Sequence, residues 1–150
     1  MRRIMINAAE CDGCKNCVVA CMQAHREAPG TIYDLDLTDI RNESRNHIES
    51  VLDGKYRPIF CRHCDMPECV MSCMSGALTK DFLTGLVSYD EEKCGSCFMC
   101  VMNCPYGVLK PDQATRTRVI KCDFCLENGG EPSCVKACPK EAIYIEEVTP

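Results

Sequence analysis

Four cysteines with the spacing C-x2-C-x2-C-x3-C lie in the stretch CDGCKNCVVAC, residues 11–21. The same spacing returns at residues 94–104, and variants with longer loops occupy residues 61–73 (C-x2-C-x4-C-x3-C) and 122–138 (C-x2-C-x8-C-x3-C). All sixteen cysteines of this 150-residue chain therefore fall into four groups. The groups are Cys11, Cys14, Cys17, Cys21; Cys61, Cys64, Cys69, Cys73; Cys94, Cys97, Cys100, Cys104; and Cys122, Cys125, Cys134, Cys138.

Short apolar runs precede every group, and they predict short strands. These runs are residues 4–6, 58–60, 86–89 and 119–120. Groups two, three and four continue as a helical turn and then an apolar exit, so the repeated unit is strand, cysteine loop, short helix and strand. Two hairpins are also expected, one turning at Asp53-Gly54 and one at residues 112–114. The pattern indicates an α+β fold.

The cysteine spacing favours iron–sulfur clusters over zinc. A four-cysteine zinc site pairs two C-x2-C knuckles, whereas C-x2-C-x2-C places three thiolates on one small loop, as a multi-iron core requires. Four such groups with no cysteine to spare predict four 4Fe-4S clusters. A zinc-binding structural module is the alternative from a different functional class. Its protein would be colourless, whereas an iron–sulfur protein is brown.

Composition and charge restrict the possible locations and partners. The N-terminal residues have no apolar segment typical of a secretory signal, so a disulfide scaffold is disfavoured and a cytoplasmic location is expected. No apolar run reaches the length of a membrane span, so direct membrane insertion is not expected. The formal charge of −5 becomes about −13 when sixteen thiolates and four 2+ cores are counted. So acidic a protein is a poor nucleic-acid binder.

The other polar residues near the cysteines do not form a recognisable catalytic motif. The sequence has no nucleophile with a base, no phosphate loop and no dinucleotide fingerprint, so the chain is not expected to be an enzyme itself. His25, His63 and Asp65 are expected to be solvent-facing or hydrogen-bonded residues, because every cysteine group is already complete. Three cations beside the cysteines would either raise cluster potentials or serve as ordinary surface charges: Lys15, Arg62 and Lys121.

One long excursion, residues 22–55, separates the first and second groups. We expect a surface loop that packs over a cluster. Contact with a partner and plain cover against solvent both remain open for it.

The four groups, taken in order, resemble the four-cluster iron–sulfur subunits of molybdopterin oxidoreductases, formate dehydrogenases, hydrogenases and carbon monoxide dehydrogenases. The resemblance covers essentially the whole chain. Residues 11–22, 61–64 and 73–78 are most similar to the ferredoxin-like protein that accepts electrons from nickel carbon monoxide dehydrogenase. The family's proline after the last cysteine is kept at Pro105 and Pro139 but replaced by Met22 and Met74, which leaves the turn geometry there less defined.

This resemblance implies two fused bacterial-ferredoxin-like halves, each with two 4Fe-4S clusters, built from short strands, short helices and long cysteine-bearing loops. Residues 1–27 and 105–150 would form the first half, with groups one and four. Residues 56–104 would form the second half, with groups two and three. Residues 28–55 would be an inserted loop and hairpin.

The resemblance also implies a ligand set for each cluster, because fourth cysteines exchange within each half. The four sets would be Cys11, Cys14, Cys17, Cys138; Cys122, Cys125, Cys134, Cys21; Cys61, Cys64, Cys69, Cys104; and Cys94, Cys97, Cys100, Cys73. A row of four clusters would relay electrons from the catalytic subunit of carbon monoxide dehydrogenase, or alternatively of formate dehydrogenase or a hydrogenase. The second redox partner would be a hydrogenase or a pyridine-nucleotide oxidoreductase.

Overall fold

The computed structural model of the chain describes residues 1–27 and 29–148. Over these residues it contains eight short strands and four α-helices. The strands are β1 Arg2–Ile6, β2 His47–Ser50, β3 Tyr56–Ile59, β4 Leu78–Lys80, β5 Val87–Tyr89, β6 Lys110–Pro111, β7 Val119–Ile120 and β8 Ile143–Glu147. The helices are α1 Asn16–Ala24, α2 Glu68–Met71, α3 Met99–Met102 and α4 Ser133–Lys136. Ala28 of the predicted insertion, and Thr149 and Pro150 of the predicted first half, lie outside the described residues.

The two outermost strands pair with each other. β1 runs antiparallel to β8, with Ile4 opposite Ile145 and Ile6 opposite Ile143. Alternate residues of a strand face the same side of a sheet, so these four isoleucines share one face. Ile4 and Ile143 on that face are buried. The sheet therefore brings residues from both ends of the chain into one core.

The other strands form three antiparallel hairpins. β2 pairs with β3 and β6 pairs with β7, as predicted, and β4 pairs with β5. The turn after β2 places Asp53 at φ 65° and Gly54 at φ 68°, the left-handed backbone that makes Asp-Gly a favoured hairpin turn.

All four helices are placed around the third cysteine of a group. Cys17, Cys69, Cys100 and Cys134 are each the second residue of their helix. Groups one and three enter the helix through a left-handed residue, Lys15 or Phe98, whereas the longer loops of groups two and four enter through Pro67 or Pro132. The two kinds of loop thus reach the same helical position by different turns.

Two small apolar cores surround the cysteines. The first contains Ile4, Phe60, Leu86, Phe124 and Ile143 together with two cysteines. The second contains the buried side chains Leu78, Val87, Val108, Leu109 and Val119, again with two cysteines. The α+β class is confirmed. Three members of the second core lie beyond residue 104, where the first half was predicted to resume, and the division into halves stays a prediction.

In the described part of the chain, no helix has both the length and the apolar character needed to cross a membrane.

Candidate metal centres

One cavity brings together three cysteines of group one and one of group four. Cys11, Cys14, Cys17 and Cys138 line a space of about 340 Å³ that is partly open to solvent. Ile48 and Pro58 of the β2–β3 hairpin form part of its wall. This is the first of the four predicted cysteine sets.

A second cavity is likewise lined by three cysteines of one group and one cysteine of another, here groups two and three. Cys61, Cys64, Cys69 and Cys104 line a space of about 340 Å³. His63 also lines this cavity, and its Nε2 is buried with no hydrogen-bond partner among the described residues. A buried N–H of this kind suits an acceptor such as a cluster sulfur.

In the remaining two predicted sets, the thiols raise one another's pKa. Burial raises the pKa of Cys134, and Cys21, Cys122 and Cys125 raise it further. Burial likewise raises the pKa of Cys100, and Cys73 and Cys94 add to the shift. Cys97 is exposed on the loop between Cys94 and Cys100.

Cys17 and Cys69 are poor thiolates unless a cation joins them. Burial, with Cys138, Cys14 and Cys11 nearby, raises the pKa of Cys17 to about 12. Burial raises the pKa of Cys69 to about 11, with Lys121 opposing the shift. A positively charged iron–sulfur core would supply the compensation that four converging thiolates lack, so the donor sets fit this cofactor.

Cysteines of neighbouring sets shift each other's pKa, which indicates which sets lie side by side. Cys17 raises the pKa of Cys134 and therefore connects the first two sets. Burial and the nearby Cys61 raise the pKa of Cys122 to about 12, so Cys61 and Cys122, which belong to different predicted halves, influence each other. Helix α2 packs against α3 and brings the last two sets together.

Part of the 22–55 excursion packs against the cysteines, as predicted. The Arg45 backbone N–H donates to Cys21 Sγ at 3.2 Å, and Asn46 Nδ2 donates to the Cys17 carbonyl at 3.4 Å. The Arg45 guanidinium pairs with Asp123, Nη1 to Oδ2, at 2.8 Å. The excursion therefore covers the junction between groups one and four.

His25 is the residue whose surroundings sequence reasoning missed. Its Nε2 donates to Asp123 Oδ1 at 3.0 Å, across 98 positions of sequence. Burial lowers the pKa of His25, but the bond to Asp123 and contacts with Cys125 and Cys21 outweigh it and raise the pKa to about 12. Only the expectation of a hydrogen-bonded histidine was available from sequence, because no local pattern links the two residues.

Other predicted polar residues divide into buried and exposed positions. His63 is buried and its Nδ1 accepts from the Val87 N–H at 2.9 Å, as a hydrogen-bonded residue should. Lys121 is also buried, so the interpretation as an ordinary surface charge is wrong for it. Its Nζ donates to the Cys122 carbonyl at 2.7 Å. Asp65 pairs with Arg3 at the surface.

Comparison with protein families gives one match that covers more than half of the chain. Residues 52–148 match the model of the 4Fe-4S dicluster domain. The chain belongs to the 4Fe-4S dicluster domain family. The matched residues include cysteine groups two, three and four, and the first group precedes them. Iron–sulfur clusters are therefore the cofactor, and the domain by its description holds two of them.

Sequence relatives and a solved structure show similarity over more of the chain than the residues matched by the family model. The beta subunit of NADH-dependent phenylglyoxylate dehydrogenase of Aromatoleum evansii is 39% identical over 140 residues, 93% of this chain and 29% of that protein. The iron-sulfur subunit of the nitrate-inducible formate dehydrogenase of Escherichia coli is 31% identical over 155 aligned positions, 94% of this chain and 52% of that protein. This chain thus spans about a third to a half of these relatives.

A solved structure with a similar fold is the active-site complex BamBC of benzoyl coenzyme A reductase in complex with benzoyl-CoA. It superimposes with a TM-score of 0.54 at 26% identity and covers 97% of this chain and 79% of the matched one. The ferredoxin-like fold class is confirmed.

Proposed function

We propose that this chain is a non-catalytic electron-transfer subunit that relays electrons through four 4Fe-4S clusters between a dehydrogenase and a second redox protein. The observation that carries the proposal is the convergence of three cysteines from one group with a fourth from another, twice around cavities of equal size. Membership of the dicluster family supports iron–sulfur chemistry in these places.

The proposed ligands are all sixteen cysteines. The first half would use Cys11, Cys14, Cys17, Cys138 for one cluster and Cys122, Cys125, Cys134, Cys21 for its neighbour. The second half would use Cys61, Cys64, Cys69, Cys104 and Cys94, Cys97, Cys100, Cys73.

Each bound cluster would accept and release one electron at a time. The protein's own residues would hold the sulfurs, and the two apolar cores pack around one cysteine of each proposed set, namely Cys17, Cys134, Cys61 and Cys100. Polar groups such as the Arg45 N–H and the Lys121 ammonium place positive dipoles or charge near added electrons. Such outer groups set cluster potentials.

The proposed electron donor is the catalytic subunit of a dehydrogenase. The cysteine segments favour carbon monoxide dehydrogenase, whereas the names of two relatives favour dehydrogenases of formate or phenylglyoxylate. A hydrogenase or a pyridine-nucleotide oxidoreductase would be the second partner.

Metal analysis tests the cofactor first. Anaerobically purified protein should be brown and contain about sixteen iron and sixteen sulfide per chain. About eight of each would support the two clusters of the family domain and contradict the proposal of four. Stoichiometric zinc without visible absorbance would support the structural-module alternative and overturn the proposal.

Donor identity is tested by bleaching of the visible absorbance. Oxidised protein would be mixed anaerobically with a catalytic amount of each candidate dehydrogenase and its substrate. Rapid bleaching with carbon monoxide dehydrogenase and carbon monoxide supports the sequence resemblance. Bleaching only with formate dehydrogenase and formate reverses the ranking. No bleaching with any donor, in protein that dithionite reduces, would contradict the proposed relay.

A further inference from the structure

His25 follows the last residue of α1 and contacts two acceptors at once. Its Nδ1 lies 2.8 Å from the carbonyl oxygen of Cys21, and its Nε2 lies 3.0 Å from Asp123 Oδ1. A carbonyl oxygen and a carboxylate can only accept, so both ring nitrogens must carry a hydrogen. The side chain is therefore an imidazolium cation by its hydrogen bonding.

This cation is largely shielded from solvent and is not cancelled by its counterion. The His25 side chain is 10% exposed. Its carboxylate partner, Asp123, is shared with the Arg45 guanidinium at 2.8 Å. Two cations thus meet one anion, which leaves a net positive charge. Water screens buried charges much less than surface charges.

The positive charge lies beside two sulfurs of one predicted set. The His25 Nδ1 is 3.7 Å from Cys21 Sγ. The ligand atoms of His25, Asp123 and Cys125 all lie within 4.8 Å of one another. The same Cys21 sulfur accepts the Arg45 backbone N–H at 3.2 Å.

We infer that His25 is a positioning residue that raises the reduction potential of the cluster held by Cys21, Cys122, Cys125 and Cys134. The inference rests on the proposed function, because it needs a cluster in that set. Reduction adds one electron, and a nearby cation with hydrogen bonds to the sulfurs stabilises the more negative state. That cluster would then retain an electron more readily than it would without His25.

Potentiometric titration followed by electron paramagnetic resonance tests the inference, with an added reductant supplying each electron. His25→Gln removes the cation, and His25→Lys restores one. His47→Gln is the matched control, since His47 is a histidine of β2 whose side chain is 43% exposed and lies 3.7 Å from the Glu49 carboxylate, Nε2 to Oε1. Iron content is measured first on every protein.

We expect one reduction step of His25→Gln to move to a more negative potential while the others stay in place. His25→Lys should return that step toward the wild-type value, and His47→Gln should leave every step unchanged. A merely structural role would not give this rescue. Full iron content with an unshifted His25→Gln titration overturns the inference and leaves the proposed function intact.

If His25→Gln loses iron, Arg45→Gln is titrated in its place. This variant removes the second cation but keeps the backbone N–H to Cys21. A negative shift of one step in that variant supports the inference, and an unchanged titration overturns it. Absence of iron from the wild-type protein is a separate result, which overturns the proposed function and the inference together.

Discussion

Gly13 lies in the first cysteine loop at a φ of +74°, a backbone region that side chains rarely enter. A Cβ built on it would lie 2.5 Å from the ring of Tyr56, the first residue of β3. The glycine therefore serves two needs at once, a left-handed turn between Cys11 and Cys14 and a close approach of the loop to an aromatic ring.

Gly13→Ala should destabilise the protein by more than the backbone strain alone. That strain costs about 1–2 kcal/mol, and overpacking against Tyr56 adds roughly 1–3 kcal/mol. Gly76→Ala is the control, because Gly76 also has a positive φ of 70° but nothing within 4 Å of the added Cβ. Anaerobic thermal unfolding measures both. Equal losses in the two variants would mean that the Tyr56 ring moves aside without cost.

Cys138→Ala tests the exchange of ligands between groups. Because Cys138 lines the cavity of Cys11, Cys14 and Cys17, its loss should remove that cluster and lower the iron content by about one quarter. Lys140→Ala, which alters the same cavity wall without removing a sulfur, should keep its iron. If spectroscopy instead shows damage confined to the Cys122 set, the pairing is wrong.

At the scale of secondary-structure elements, the sequence predicted the features that depend on residues close together in the chain. The Asp53-Gly54 hairpin was found because the turn residues and both strands lie within a few positions. The pairing of β1 with β8 could not be found this way, since Ile4 and Ile145 are distant in sequence and no turn joins them. The contact of His25 with Asp123 was missed for the same reason.

The β1–β8 sheet should be a main support of the first core. Ile143→Ala removes a buried side chain and should cost about 2–5 kcal/mol of unfolding free energy. Tyr144→Ala on the neighbouring position is the control, because Tyr144 is 41% exposed and faces away from Ile143. Denaturant unfolding in the absence of oxygen measures both. A loss in Tyr144→Ala as large as that in Ile143→Ala would contradict this account of the sheet.

At the scale of the whole molecule, two small cores must hold 150 residues together. Cysteines are members of both cores, and burial raises the pKa of Cys17 and Cys69 well above the usual value. Sequence could predict four cysteine groups from spacing. It could not predict which sets influence each other, because the effect of Cys61 on the pKa of Cys122 arises only in the folded chain.

Removal of the clusters should unfold the chain. Without metal the converging thiols lose their shared partner, and binding free energy of a metal site is also folding free energy. Far-ultraviolet circular dichroism should show loss of helix and strand after anaerobic treatment with a chelator and oxidant, and recovery on reconstitution with iron and sulfide. Retention of native-like dichroism in iron-free protein would show that the cores suffice alone.

The β1–β8 sheet also sets an order of events during synthesis. Of the described elements, β1 is synthesised first and its partner strand β8 is synthesised last. At about 5–20 residues per second, the interval between Cys17 and Cys138 is roughly 6–24 seconds. The middle of the chain can close its hairpins within that time. With the proposed ligand sets, clusters in the middle of the chain could therefore assemble first, while Cys11, Cys14 and Cys17 would remain exposed until Cys138 has been translated.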